Sequence, residues 1–222
     1  MANETIDIRA TITKHPARKW RKRNSSAIQY IWIHTTASNN QDPDKTARYH
    51  SSIGPGNHIS RKGAPGLCYH DFITKLGTVY HCNNYNDITW HTKGQNGKGV
   101  GVTMAFRGQT GELPQAAQFE AMIKHVARLC LLFKIVPKRV RGHREAPGMM
   151  ILGKGPVRYK KKCPGMGVDL AVVRHLVTIR VQQLLRDHGY YKDIIDGSFG
   201  PNSREALKRF DPNTLREKVI AR

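Results

Sequence analysis

Eleven histidines and four cysteines are spread over 222 residues, and three of them stand where a chain can present a metal ligand. A catalytic zinc takes three protein donors from His, Cys and carboxylates and keeps a fourth position for water. His34 follows the apolar run Ile28-Gln29-Tyr30-Ile31-Trp32-Ile33, His143 follows Val140-Arg141-Gly142, and Cys163 precedes Pro164-Gly165, a turn that exposes the thiol at a fixed angle. Such a set would serve hydrolysis of an unreactive carbonyl, because zinc lowers the pKa of its water to about 7 and polarises the bond under attack. Spacing alone does not select the set. His143 and Cys163 are 20 residues apart and His34 lies over a hundred residues earlier, so there is no compact finger, and on composition this is one triple among many.

The elements that would carry these donors are readable from apolar periodicity. Residues 28–33 are short, β-branched and aromatic and predict a buried strand that ends at His34. A short helix is expected over 44–50. A Gly-, Pro- and His-rich loop over 51–67 follows it, then strands over 69–74 and 78–81 with Leu76-Gly77 as their turn. Another strand is expected over 100–106. After Pro114, the positions Phe119, Met122, Ile123, Val126, Leu129, Cys130 and Phe133 recur at helical spacing and predict an amphipathic helix over 115–133, with Cys130 packed in the core. Residues 169–186 read as a further helix. Mixed strands with separate helices imply an α/β fold, a central mixed β-sheet flanked by helices, with a small helical C-terminal segment.

Composition sets the surroundings. Against 16 acids stand 37 lysines and arginines, a formal charge of +21, so the field favours polyanions: wall polymers and other anionic envelope polymers as much as nucleic acid. No recognised DNA-reading motif is present, and no specific nucleic-acid partner is expected. Residues 1–27, with the run Arg18-Lys19-Trp20-Arg21-Lys22-Arg23, read as a basic arm, solvated or in contact with an anion. Residues 1–9 lack an apolar stretch after a basic start, and nothing later approaches the roughly 18 apolar residues of a membrane span. Synthesis in the cytoplasm without a signal peptide is the expectation, with four free or metal-bound cysteines rather than a disulfide framework.

Six segments fall in the order found in one family: Ile33-His34-Thr35-Thr36-Ala37-Ser38, Cys68-Tyr69-His70-Asp71-Phe72-Ile73, Trp90-His91-Thr92-Lys93-Gly94, Pro114 to Gln118, Gly142-His143-Arg144-Glu145 and Lys161-Lys162-Cys163-Pro164-Gly165. The chain thereby resembles type 2 N-acetylmuramoyl-L-alanine amidases, which include phage lysozyme-like enzymes and animal peptidoglycan recognition proteins. The resemblance spans about 28–170. It implies that His34, His143 and Cys163 bind Zn2+ and that Tyr69 and Lys161 line the reaction centre. It also implies that His91, His50 and Trp90 lie on the substrate side. Without it, Tyr69 is a buried strand tyrosine and Lys161 one charge in Lys160-Lys161-Lys162. Two features depart from the family. Thr103 stands where some members carry a glutamate, so no carboxylate base is assigned, and 146–160 reads as an insertion, either a loop over the cleft or a spacer.

Beyond about residue 178, Val181-Gln182-Gln183-Leu184-Leu185, Gly189-Tyr190-Tyr191, Asp196 to Pro201 and Ala206 to Phe210 read as helix, loop, Gly turn and helix, with Pro201 suited to a first helical turn. The pattern resembles part of a peptidoglycan-binding module. The expected organisation is a basic arm (1–27), a zinc amidase domain (28–177) and a helical wall-binding segment (178–222). The expected function is a monomeric phage endolysin that acts on the host wall after release and cleaves the bond between N-acetylmuramic acid and L-alanine. A non-catalytic peptidoglycan receptor and a bacterial wall-recycling amidase are the alternatives.

Overall fold

The computed structural model describes residues 5–147, 150–152, 158–160, 162–215 and 219–221. Its frame is a seven-stranded mixed sheet. In chain order the strands are β1 (Thr5–Asp7), β2 (Tyr30–Thr35), β3 (Asp71–Ile73), β4 (Val79–His81), β5 (Gly99–Met104), β6 (Val140–Gly142) and, after a separate pair, β9 (Val219–Ala221). They lie side by side in the order β6-β2-β5-β3-β4-β1-β9. β2 runs parallel to both β5 and β6, β5 parallel to β3, and only β3 and β4 pair antiparallel. With helices on both faces, β2 must be apolar almost throughout. Its Ile31, Trp32 and Ile33 are all buried.

One face carries the main core. There α2 (Ala116–Leu132) and α3 (Leu170–Asp187) press Met122, Val126, Leu129, Val173 and Val177 onto Ile31, Ile33, Val100, Val102 and Met104. The sequence-predicted bounds of both helices agree with these to within a residue. On the other face α1 (Pro43–Ser51) is capped by Asp42, whose side chain accepts from the Asp44 and Lys45 amides. It seats Ala47 in a smaller cluster with Ile12, Leu67 and Phe72. β2 extends beyond the predicted 28–33: its ladder continues through His34↔Thr103 and Thr35↔Met104, so His34 sits within the strand, where sheet geometry fixes its direction.

Residues 5–27 are not a solvated arm. β1 adds to β4 in parallel, Ile12 joins the smaller core, and the Trp20 indole donates to Asn83 Oδ1 at 2.9 Å. Arg23 lies at the start of β5, its guanidinium donating to the carbonyls of Tyr85 (2.7 Å) and Gly99 (2.8 Å). Burial pushes its pKa down to about 10. The basic run looked solvated because arginine stems can be buried while the charge is met by carbonyls, which composition cannot report.

The insertion over 146–160 contains a two-stranded antiparallel pair, β7 (Met150–Leu152) and β8 (Arg158–Lys160), separate from the main sheet. At the C-terminal side the boundary drawn at 177/178 falls inside α3. That helix carries Val181 and Leu185 into the same core as Tyr191 and, on α4 (Pro201–Arg209) and its end, Ala206, Leu207 and Phe210. A helix shared by both segments gives them one hydrophobic interior. Calorimetry is expected to record a single unfolding transition with equal calorimetric and van't Hoff enthalpies; two resolved transitions would contradict a shared core. No helix among the described residues is long and apolar enough to cross a membrane, and the four cysteines are buried thiols.

Candidate metal centre

Parallel strands collect polar groups beyond their carboxyl ends, where helices and loops leave a crevice. β2 delivers His34 there. Its neighbour β6 ends at Gly142, and the next residue, His143, opens a short 3-10 turn over His143–Glu145. Cys163 arrives from the far side on the turn before α3, through a cis Cys163–Pro164 peptide. One ligand atom from each of His34, His143 and Cys163 lies within 4.8 Å of the others. The donor set suits zinc. Bond lengths of about 2.0 Å to nitrogen and 2.3 Å to sulfur put tetrahedral N and S ligands about 3.6 Å apart, and His34 Nδ1 lies 3.7 Å from Cys163 Sγ. The Thr35 amide also points at that sulfur, 3.4 Å away, and favours a thiolate.

The turn carrying His143 and the loop carrying Cys163 are fastened to each other by Arg144. Its amide donates to the Cys163 carbonyl at 2.9 Å, and its guanidinium donates to the carbonyls of Gly165 and Val168. Glu145 accepts from the Gly142 amide (3.0 Å) and pairs with Arg174 of α3 at 3.1 Å. Within Gly-His-Arg-Glu, one residue is a donor and the next two hold it in place. Arg144→Ala is expected to weaken zinc binding roughly 10-fold or more, as loss of supporting contacts around ligands does. Competition with a chromophoric chelator reads this directly, and an unchanged affinity would deny Arg144 the role.

The cleft above the three donors has a volume of about 630 Å³ and is lined by Tyr69, Trp90, Lys93, Gln109 and Lys162 among others. A second cavity, of about 610 Å³, is lined by Arg9, Tyr85 and Phe133, with no histidine, cysteine or carboxylate among its described lining residues. The Tyr69 ring stands 5.1 Å from that of His34. Burial, with the nearby Cys163 charge, raises its pKa far above the usual phenol value, so its hydroxyl keeps its proton. Trp90 is half-buried at the rim, edge-on to Trp20 at 5.8 Å and under the Arg18 guanidinium at 4.9 Å. The N-terminal segment thus braces one wall of the cleft.

Two residues expected on the substrate side are tied into the fold by their ring nitrogens, and of these His91 is also part of the cleft lining. His50 is 5% exposed; its Nδ1 accepts from the Cys68 amide at 3.1 Å, and burial pushes its pKa down to about 4. It ties the end of α1 to the segment before β3 that carries Cys68 and Tyr69. His91 is 4% exposed, lines the cleft beside Trp90, and is met at both nitrogens, by Thr92 Oγ1 at 2.9 Å and the Gly99 carbonyl at 3.1 Å. Burial holds it far below the ordinary imidazole pKa, as a neutral ring. Lys161 lies outside the described residues. Thr103, opposite His34 on β5, is fully buried. Sequence reasoning placed Arg144 and Thr92 inside motif segments but gave them no role of their own.

The family model for N-acetylmuramoyl-L-alanine amidase matches residues 24–166, and a peptidoglycan-binding domain model matches 178–211. The chain belongs to the N-acetylmuramoyl-L-alanine amidase family. Among solved structures, the Ph2119 endolysin from a Thermus scotoductus bacteriophage is similar at 18% identity, covering 78% of this chain and 99% of its own, with a TM-score of 0.57. The amidase LysC from Clostridium intestinale follows at 19%, 77%, 95% and 0.55. Drosophila peptidoglycan recognition protein SD stands at 15%, 77%, 92% and 0.57. These likenesses establish the amidase and recognition-protein fold. No curated protein matches the chain.

Proposed function

We propose that the protein is a zinc-dependent amidase that cuts peptidoglycan between N-acetylmuramic acid and the L-alanine of the stem peptide, and that it serves as a phage endolysin. One observation carries the reading: two imidazoles and a thiol from three separate segments converge to within 4.8 Å at the floor of an open cleft. Bound there, zinc supplies a Lewis acid and lowers the pKa of a water to about 7. The chain's own residues supply the rest. His34, His143 and Cys163 hold the ion. Tyr69 keeps a proton to donate toward the carbonyl oxygen as that atom gains negative charge. Lys161, two residues before Cys163 in the chain, is the residue to which the family resemblance assigns an ammonium for the same charge. Trp90 presents an aromatic face to the substrate, and Lys93 and Lys162 line the cleft with positive charge suited to a carboxylate-bearing wall.

The peptidoglycan-binding match over 178–211 supports a wall substrate, since a tethered binding unit raises the local concentration of what the cleft cuts. Similarity to a phage endolysin supports the lytic role. The test is product analysis. Purified wall digested with the protein should yield new L-alanine amino termini and no new reducing ends, and a chelator should stop the reaction. Reducing ends would overturn the bond assignment. Sacculi bound but uncut would favour a receptor, and cleavage confined to soluble fragments a recycling enzyme. Tyr69→Phe should lower kcat roughly 10²-fold with zinc content unchanged, the scale of losing one oxyanion donor; a turbidity assay paired with elemental analysis measures both.

A further inference from the structure

Behind His34 runs a hydrogen-bonded chain whose direction is fixed from its far end. His91 Nε2 lies 3.1 Å from the Gly99 carbonyl; a carbonyl only accepts, so Nε2 carries a proton. His91 Nδ1 lies 2.9 Å from Thr92 Oγ1, and the same oxygen lies 3.2 Å from His34 Nε2. Thr92 has one proton to give. If it went to His34, His91 would have to donate from both nitrogens and become a cation, and a buried charge without a counter-charge is costly. With His91 uncharged, Thr92 donates to His91 and accepts from His34 Nε2–H. A neutral His34 then carries its single proton on Nε2 and leaves bare Nδ1, the nitrogen 3.7 Å from Cys163 Sγ.

We infer that Thr92 and His91 are positioning residues that fix the His34 tautomer and ring angle for metal capture, Thr92 by direct contact and His91 by setting the direction of the Thr92 hydroxyl. Supporting contacts agree. The Thr92 amide is held by Asn96 Oδ1 at 2.6 Å. A Cβ at residue 101 would come within 2.7 Å of the His91 ring, so Gly101 on β5 leaves the space the ring occupies. The assignment gives His91 a role toward His34 beside its place in the cleft lining. Its bearing on metal capture rests on the zinc reading above; the tautomer does not.

Two measurements separate the ideas. Zinc affinity by chelator competition should fall roughly 10–100-fold in Thr92→Val, the usual cost of removing a ligand's hydrogen-bond partner, and in Thr92→Ala. Thr92→Ser, which keeps the hydroxyl, should stay within a few-fold of the unaltered protein. In metal-free protein, 15N spectra of the imidazoles should find the His34 proton on Nε2. Wild-type affinity in both the Val and Ala variants overturns the positioning role while leaving the zinc reading intact. A His34 proton on Nδ1 overturns the relay whether or not the protein takes up zinc. Absence of any zinc uptake by the unaltered chain sinks the proposed function, and the spectra alone then decide the relay.

Discussion

Cys163→Ser is expected to leave no measurable wall hydrolysis and no stoichiometric zinc, while the melting temperature stays close to that of the unaltered metal-free protein. The sulfur is one of three donors, and a serine hydroxyl is a poor substitute for a thiolate at neutral pH. With the ion go several kcal/mol of charge stabilisation, so the loss should be at least roughly 10³-fold. His143→Ala should behave alike. His143 is only half-buried and starts a short turn, so truncation opens no large cavity in the core. The fold is held by the sheet and by α2 and α3, not by the ion. Elemental analysis, turbidity decay and a thermal melt on the same preparations test this together. Retention of both zinc and turnover by Cys163→Ser would remove the sulfur from the centre and the proposed chemistry with it.

The strands and helices that carry the donors were legible because each obeys a local rule. β2 opens on an apolar run, as a strand covered on both faces must, and α2 repeats its buried residues at helical spacing. Convergence was not legible: that β6 lies beside β2 in parallel, and so brings His143 next to His34, is a long-range pairing that no local pattern encodes. Only the order of motifs suggested it. The hydrogen bonds that hold His91 and His50 were not legible for the same reason. A histidine facing a cleft and one facing the back of a ligand have the same neighbours in sequence, and only the hydrogen-bond partners at both ring nitrogens tell them apart. The N-terminal residues were misread because their basic side chains find carbonyl partners across the fold.

Asp71→Asn is expected to destabilise the protein by about 1–3 kcal/mol, the usual cost of leaving buried hydrogen-bonding groups without their partner, or roughly 5 °C in melting temperature for a chain of this size. Asp71 is fully buried on β3. Its Oδ1 accepts from His81 Nδ1 at 2.7 Å and from the Tyr85 hydroxyl at 3.3 Å, and its Oδ2 lies 3.0 Å from His125 Nε2 on α2. Burial alone would push the carboxyl upward; the charge of His125 and then the contacts of His81 outweigh it, and the group is held well below the ordinary carboxylate range. A depressed carboxyl contributes stability that is fully present above its unfolded value of about 4 and is lost as pH falls through the lower folded value. The gap between the melting curves of the two proteins should therefore be full at pH 7 and should narrow as the pH is taken below about 4. The cluster joins β3, β4 and α2 away from His34, His143 and Cys163, so zinc content below the melt should not change. Equal melting at pH 7, or a gap that grows below pH 4, would mean that the carboxylate is not what holds these three elements together.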